Sequence, residues 1–163
     1  GENTQLINPT AIALDSTGDI YVANEGTQDD PGSITIFRAG SNGDVAPVAR
    51  IAGPKTRLKS AEGVAVDSHG YIYVTNENRA AKESDSITVY SPGSTGDSPP
   101  PVRVISGPAT ELASPEGIAV ERKLFLRFPE KKENNRVAAP GDLNCAGAAN
   151  GGLVSGINIW IES

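Results

Sequence analysis

The sequence predicts an all-β fold assembled from repeated units of four antiparallel strands, and three observations carry that prediction. The stretch Ala11 to Asn24, AIALDSTGDIYVAN, returns 52 residues later as Gly63 to Asn76, GVAVDSHGYIYVTN, and starts a third time at Gly117 as GIAVE. Within each copy the apolar residues alternate, which is the period-2 signature of half-buried β-structure. Eighteen Gly and twelve Pro set among Val, Ile and Thr suit short strands and turns rather than helices.

Taken in order, the chain opens with Gly1 to Pro9, which lines up with Gly53 to Ala61 and Gly107 to Pro115; Gly, Thr and Leu recur at the same places. The first hairpin follows. Asp15-Ser16-Thr17-Gly18 and Asp67-Ser68-His69-Gly70 are its turns, because an Asp carboxylate caps backbone N–H groups and Gly takes a positive φ without steric cost. Glu25 to Gly32 reads as a loop. Ser33 to Phe37, SITIF, matched by Ser86 to Tyr90, SITVY, is a third strand with Ile34 and Ile36, or Ile87 and Val89, on one face. A turn at Gly40 to Asp44, echoed by Gly93 to Asp97, leads to a fourth strand within Pro47 to Leu58 and Pro101 to Leu112.

Four strands in 52 to 54 residues is the sequence mark of a propeller blade. The boundaries are about 8–59 for the first blade and 60–113 for the second. A divergent third blade, about 114–163, carries an insertion over 129–153. In that third blade Lys123 to Phe128 still alternates and serves as a second strand. Ser155 to Ile161 resembles the third strand, with Ile157, Ile159 and Ile161 on one face and Trp160 on the other. No fourth strand follows it. Propellers close with roughly 4 to 8 blades, so this number of blades cannot close alone. The apolar strand Ile157 to Ile161 is an edge that invites pairing with another chain. A homo-oligomer or polymer is the expectation: a ring if head-to-tail contacts close, a tube or filament if they do not.

The pattern P-x-GIAVDSxGxIYVxN followed by SITVY resembles the NHL-repeat and related six-bladed β-propellers, including secreted bacterial ones, over residues 1 to about 121. The unfinished third blade, the apolar edge strand and the absence of Met point to an extracellular structural or binding protein, and the resemblance fits a secreted one. The resemblance also implies an alternative, a fragment of a gluconolactonase-like hydrolase that holds a divalent ion on the propeller axis. A third reading is a ligand- or protein-binding propeller module of a larger protein.

Twenty acidic and fourteen basic residues give a net charge of -6, which disfavours nucleic acid and anionic membranes as partners. No apolar run reaches the roughly 20 residues of a membrane span. The chain lacks Met altogether, and a removed signal peptide would account for its first residue, in keeping with secretion. The single Cys145 cannot form an intrachain disulfide.

The end of each hairpin's second strand lies beside the start of its first. Asn24, Glu25, Asn76 and Glu77 are therefore expected on one face with Thr10, Glu62 and Glu116, and with the loops carrying Asp29, Asp30, Glu83 and Asp85. These oxygens are the candidate ligands for Ca²⁺, which takes 6 to 8 of them; the competing reading is that Asn and Asp cap loops and the Glu side chains are solvated. Asp15 and Asp67 read as turn caps rather than catalytic groups. His69, the lone histidine, occupies the free turn position and reads as exposed. No G-x-S-x-G is present, and Asn150-Gly151-Gly152 lacks the companions of a phosphate loop. Tyr71 and Tyr73 read as packing between blades. Catalytic residues are not expected.

Overall fold

The computed structural model describes residues 1–78, 85–97 and 99–120. It is all-β, with two sheets that do not close into a barrel. The first blade is β1 (Pro9–Leu14), β2 (Ile20–Asn24), β3 (Ser33–Phe37) and β4 (Ala49–Ala52). The second is β5 (Ala61–Val66), β6 (Ile72–Asn76), β7 (Ser86–Tyr90) and β9 (Arg103–Ser106), and β8 (Gly96–Asp97) lies between its last two strands in sequence. Each blade is a meander of antiparallel neighbours. Short 3₁₀ turns, Pro54–Thr56 and Pro108–Thr110, follow the last strand of each blade, and Glu2–Thr4 occupies the same place before β1.

The hairpin turns form as their residues demand. Asp67 Oδ1 accepts hydrogen bonds from the N–H groups of His69 (2.8 Å) and Tyr71 (2.9 Å), and Oδ2 accepts from the Tyr73 hydroxyl (3.1 Å). Asp15 does the same with the N–H groups of Thr17 (2.8 Å) and Asp19 (3.0 Å). Gly18 and Gly70 close these turns at φ 85 and 84. Burial alone would raise the pKa of both carboxyls, but the hydrogen bonds to the ionised form outweigh it and hold both below the usual value of 3.8. A depressed carboxyl stabilises the fold above its unfolded pKa, and that contribution is lost as pH falls through the folded value. Asp67→Asn keeps an acceptor oxygen and removes the charge. Its unfolding midpoint should therefore change less than the wild type's between pH 5 and pH 2, and an unchanged acid dependence in urea titrations would show that the turn carboxylate contributes nothing.

The core lies between the blades. Ala23, Ile34, Ile36 and Ile51 from the first meet Leu58, Ala61, Val64, Val66, Ile72, Val74 and Tyr90, with Ala11, Ala13, Tyr21 and Ala49 packed against them. The alternation explains the division: the Ile residues of β3 face the next blade, while Val64 and Val66 of β5 face the previous one.

One expectation is corrected. Gly93 to Asp97 is not only a turn: Gly96 and Asp97 form β8, which pairs in parallel with Ile51 and Ala52 at the outer edge of the first blade. The unpaired edge of β4 offered hydrogen-bonding groups that the loop of the next blade satisfies. Tyr21, the first-blade equivalent of Tyr73, packs against the cluster between the blades, while the rest of the blade that would follow Tyr71 and Tyr73 lies outside the described residues. The Arg103 guanidinium sits over both rings, 5.8 and 6.0 Å from their centres, and the Tyr73 hydroxyl is held by the turn at Asp67. Residues 117–120 begin the third repeat and belong to no sheet among the described residues; the expected partner strand at 123–128 lies outside them.

Candidate functional site

Of the residues expected to share one face, Thr10, Glu62, Glu77 and Glu116 line one cleft at the end of the blades where β1 and β5 begin. In both hairpins the register slips by one residue, between Pro9 and Ala11 and between Ala61 and Gly63. Thr10 and Glu62 are thus the extra residues of two equivalent β-bulges, a device that re-aims a side chain away from the sheet. They line an open cleft of about 430 Å³ with Ala11, Glu77, Glu116 and Gly117. A second cleft of about 250 Å³ is lined by Glu25, Thr27, Gln28, Pro31, Lys59, Ser60, Glu77 and Asn78. Glu77 borders both.

The first cleft is rich in acceptors. Thr10 spends its hydroxyl proton on the Ala61 carbonyl (2.6 Å), which ties the first blade to the second. Three glutamates remain at its rim, Glu62, Glu77 and Glu116. Among the described residues no three His, Cys, Asp or Glu side chains converge closely enough to hold a metal ion.

The other candidate ligands are divided between fold and surface. Asn24 and Asn76 are buried. Asn76 Oδ1 accepts from the Lys59 N–H (3.2 Å), while its amide donates to the Val74 carbonyl (3.2 Å), the Ser86 carbonyl (3.5 Å) and the Thr88 hydroxyl (3.1 Å). Asn24 repeats this set with Ile7, Val22, Ser33 and Thr35. Asp85, also buried, accepts from the N–H groups of Asn78 and Ser114, both at 2.8 Å. These three side chains join loops to strands. Asp30 pairs with Arg50 at 2.8 Å, and Asp29 is exposed in the same loop, where the Thr27 hydroxyl receives both backbone N–H groups. Glu83 and the apolar residues Ile157, Ile159, Trp160 and Ile161 lie outside the described residues, as does Cys145.

His69 is exposed on the hairpin turn at the opposite end of the blade from the clefts, with Ser68 Oγ 3.5 Å from its Nδ1. A hydroxyl and an imidazole on an open turn lack the water-excluding surroundings that nucleophilic catalysis uses. The sequence could place Thr10, Glu62 and Glu116 on one face through their repeat position. Their projection by bulges, and the part Lys59 and Gln28 take in the second cleft, carried no sequence signal, because an irregular register has no composition of its own.

The chain matches no protein-family model and no curated protein.

Proposed function

We propose that this is a non-catalytic, extracellular structural or binding protein of the NHL-like propeller kind, whose blades self-assemble with neighbouring chains through their open faces. One comparison carries the reading. Leu58, Val64 and Val66 are 3%, 5% and 4% exposed between the two blades, whereas their repeat equivalents on the first blade, Leu6, Ile12 and Leu14, are 40%, 67% and 56% exposed. The same apolar positions are buried in one repeat and exposed in the other. Covering a side chain of this size is worth about 1.5–3 kcal/mol, so a neighbour that fits the face gains substantially by binding it. The placement outside the cell rests on the likeness of the repeat to secreted propellers.

The test is the mass and shape of the purified chain in solution, by light scattering and negative-stain imaging with and without Ca²⁺. Rings, tubes or filaments are the expected result. The double variant Ile12→Asp, Leu14→Asp should shift the particles to monomer, since both side chains are exposed and neither supports the core. A wild-type chain that stays folded and monomeric at high concentration would overturn the reading.

A further inference from the structure

The turn after β3 carries a chemistry that its repeat equivalent lacks. Gly40-Ser41-Asn42-Gly43-Asp44 in the first blade matches Gly93-Ser94-Thr95-Gly96-Asp97 in the second, and the two differ only where Asn42 stands for Thr95. A carboxamide therefore sits immediately before a glycine. Asparagine is among the chemically labile residues of proteins, because the nitrogen of the next peptide group can attack the side-chain carbonyl carbon and close a five-membered imide. A side chain on that next residue crowds the approach, and glycine has none.

The structure leaves this pair unhindered. All five residues of the turn are exposed. Gly43 stands at φ 77, and nothing lies within 4 Å of a Cβ built on it. The hydrogen bonds that shape the turn come from its flanks: the Ser41 N–H donates to the Arg38 carbonyl and the Val45 N–H to the Gly43 carbonyl, both at 3.1 Å. The Gly43 N–H, which is the attacking group, donates to nothing among the described residues, and the Asn42 carboxamide has no hydrogen-bond partner there either. Other asparagines are held. The amides of Asn3, Asn8, Asn24 and Asn76 donate to Asp44, Gly26, Val22 and Val74, and the residues that follow them are Thr, Pro, Glu and Glu.

We propose that Asn42 is a site of spontaneous covalent modification, deamidating through a cyclic imide to aspartate and isoaspartate while the protein is folded. The Gly43 nitrogen gives its proton to solvent base and bonds to Asn42 Cγ; the Cγ–Nδ2 bond breaks, and Nδ2 leaves as ammonia with a proton taken from water. Water then opens the imide on one side or the other. Cleavage of the new N–Cγ bond gives aspartate, whereas cleavage of the bond from the Gly43 nitrogen to the Asn42 backbone carbonyl carbon gives isoaspartate, with the main chain rerouted through Cγ. Water is consumed, ammonia is released and nothing is oxidised or reduced. Either product adds a negative charge to a chain already at -6. The new carboxylate arises two residues from Asp44, which accepts from the Asn3 N–H at 3.0 Å and from its amide at 3.2 Å.

Peptide mapping tests it. The full chain is held folded at mildly alkaline pH, its circular dichroism checked, and samples taken over time are digested with trypsin under mildly acidic conditions and read by liquid chromatography and mass spectrometry. Cleavage after Arg38 and Arg50 yields peptide 39–50, in which Asn42 is the single asparagine; Asn3, Asn8 and Asn24 fall on peptide 1–38 and Asn76 on peptide 60–79. Peptide 39–50 should convert progressively into two products of equal mass and different retention, while the other two peptides stay unchanged. Asn42→Thr, which installs the residue of the second blade, should leave 39–50 as one species. The other Asn-Gly pair, Asn150-Gly151, lies outside the described residues and on a different peptide. A peptide 39–50 that lasts as long as the other two overturns the proposal. So does conversion seen only after unfolding in urea, which would mean that the folded turn shields the amide. Aspartate without isoaspartate overturns the imide route.

Discussion

Asn76→Ala should lower the stability of the fold by about 3 kcal/mol or more, a large share of the roughly 5–15 kcal/mol typical of a domain. The reason is the number of groups that depend on one side chain. Asn76 is 2% exposed, and its amide serves the Val74 and Ser86 carbonyls and the Thr88 hydroxyl, while its oxygen receives the Lys59 N–H from the segment that joins the blades. Truncation leaves several buried polar groups without partners, each costing about 1–3 kcal/mol, and water has no easy route to them. Asn76→Asp should be worse. It keeps the shape but turns the donor into a second acceptor, so a carboxylate faces two carbonyl oxygens in a buried site. Urea unfolding followed by tryptophan-independent far-ultraviolet circular dichroism reads both effects. A loss below about 1 kcal/mol for Asn76→Ala would mean that relaxation or water satisfies the orphaned groups. Asn24→Ala should show the same behaviour, because it holds the equivalent set in the first blade.

Tyr90→Ala is expected to cost about 3–5 kcal/mol, the usual range for removing a large aromatic from a packed interior. Tyr90 is fully buried within the cluster between the blades, and its hydroxyl donates to the Thr56 carbonyl at 2.7 Å. Tyr90→Phe separates the two contributions. It keeps the ring, restores the residue that stands at the equivalent position in the first blade, Phe37, and should cost only about 1–2 kcal/mol for the orphaned carbonyl. The ring also sets an alkaline limit. Burial pushes the phenol up to about 12, against an ordinary value of 10.0. A raised folded-state pKa means that the stabilisation is complete below pH 10 and is lost as pH rises from there through about 12. Tyr90→Phe should flatten the stability curve over that window, and a variant curve parallel to the wild type's would assign the alkaline loss to other groups.

The elements that were legible in the sequence are those set by local chemistry. Asp67-Ser68-His69-Gly70 announced its turn because the carboxylate and the glycine act within five residues of each other, and the alternation of Val64, Val66, Ile72 and Val74 announced the strands and their buried face. The shared face of Thr10, Glu62 and Glu116 followed from the repeat. What could not be read was whatever depends on partners far along the chain. Asn24 and Asn76 sit at strand ends, where polar side chains ordinarily meet water, and only the packing of loops over those ends buries them.

The repeat by itself thus determined the strand order, the turns and which side of each strand is apolar, because those follow from a period of two and from backbone preferences that a few neighbouring residues decide. Tertiary structure alone decided the parallel pairing of Gly96–Asp97 with β4, the bulges at Thr10 and Glu62, and the exposure of Ile12 and Leu14 where Val64 and Val66 are buried. Near-identical sequences met different surroundings there, and burial is a property of the surroundings.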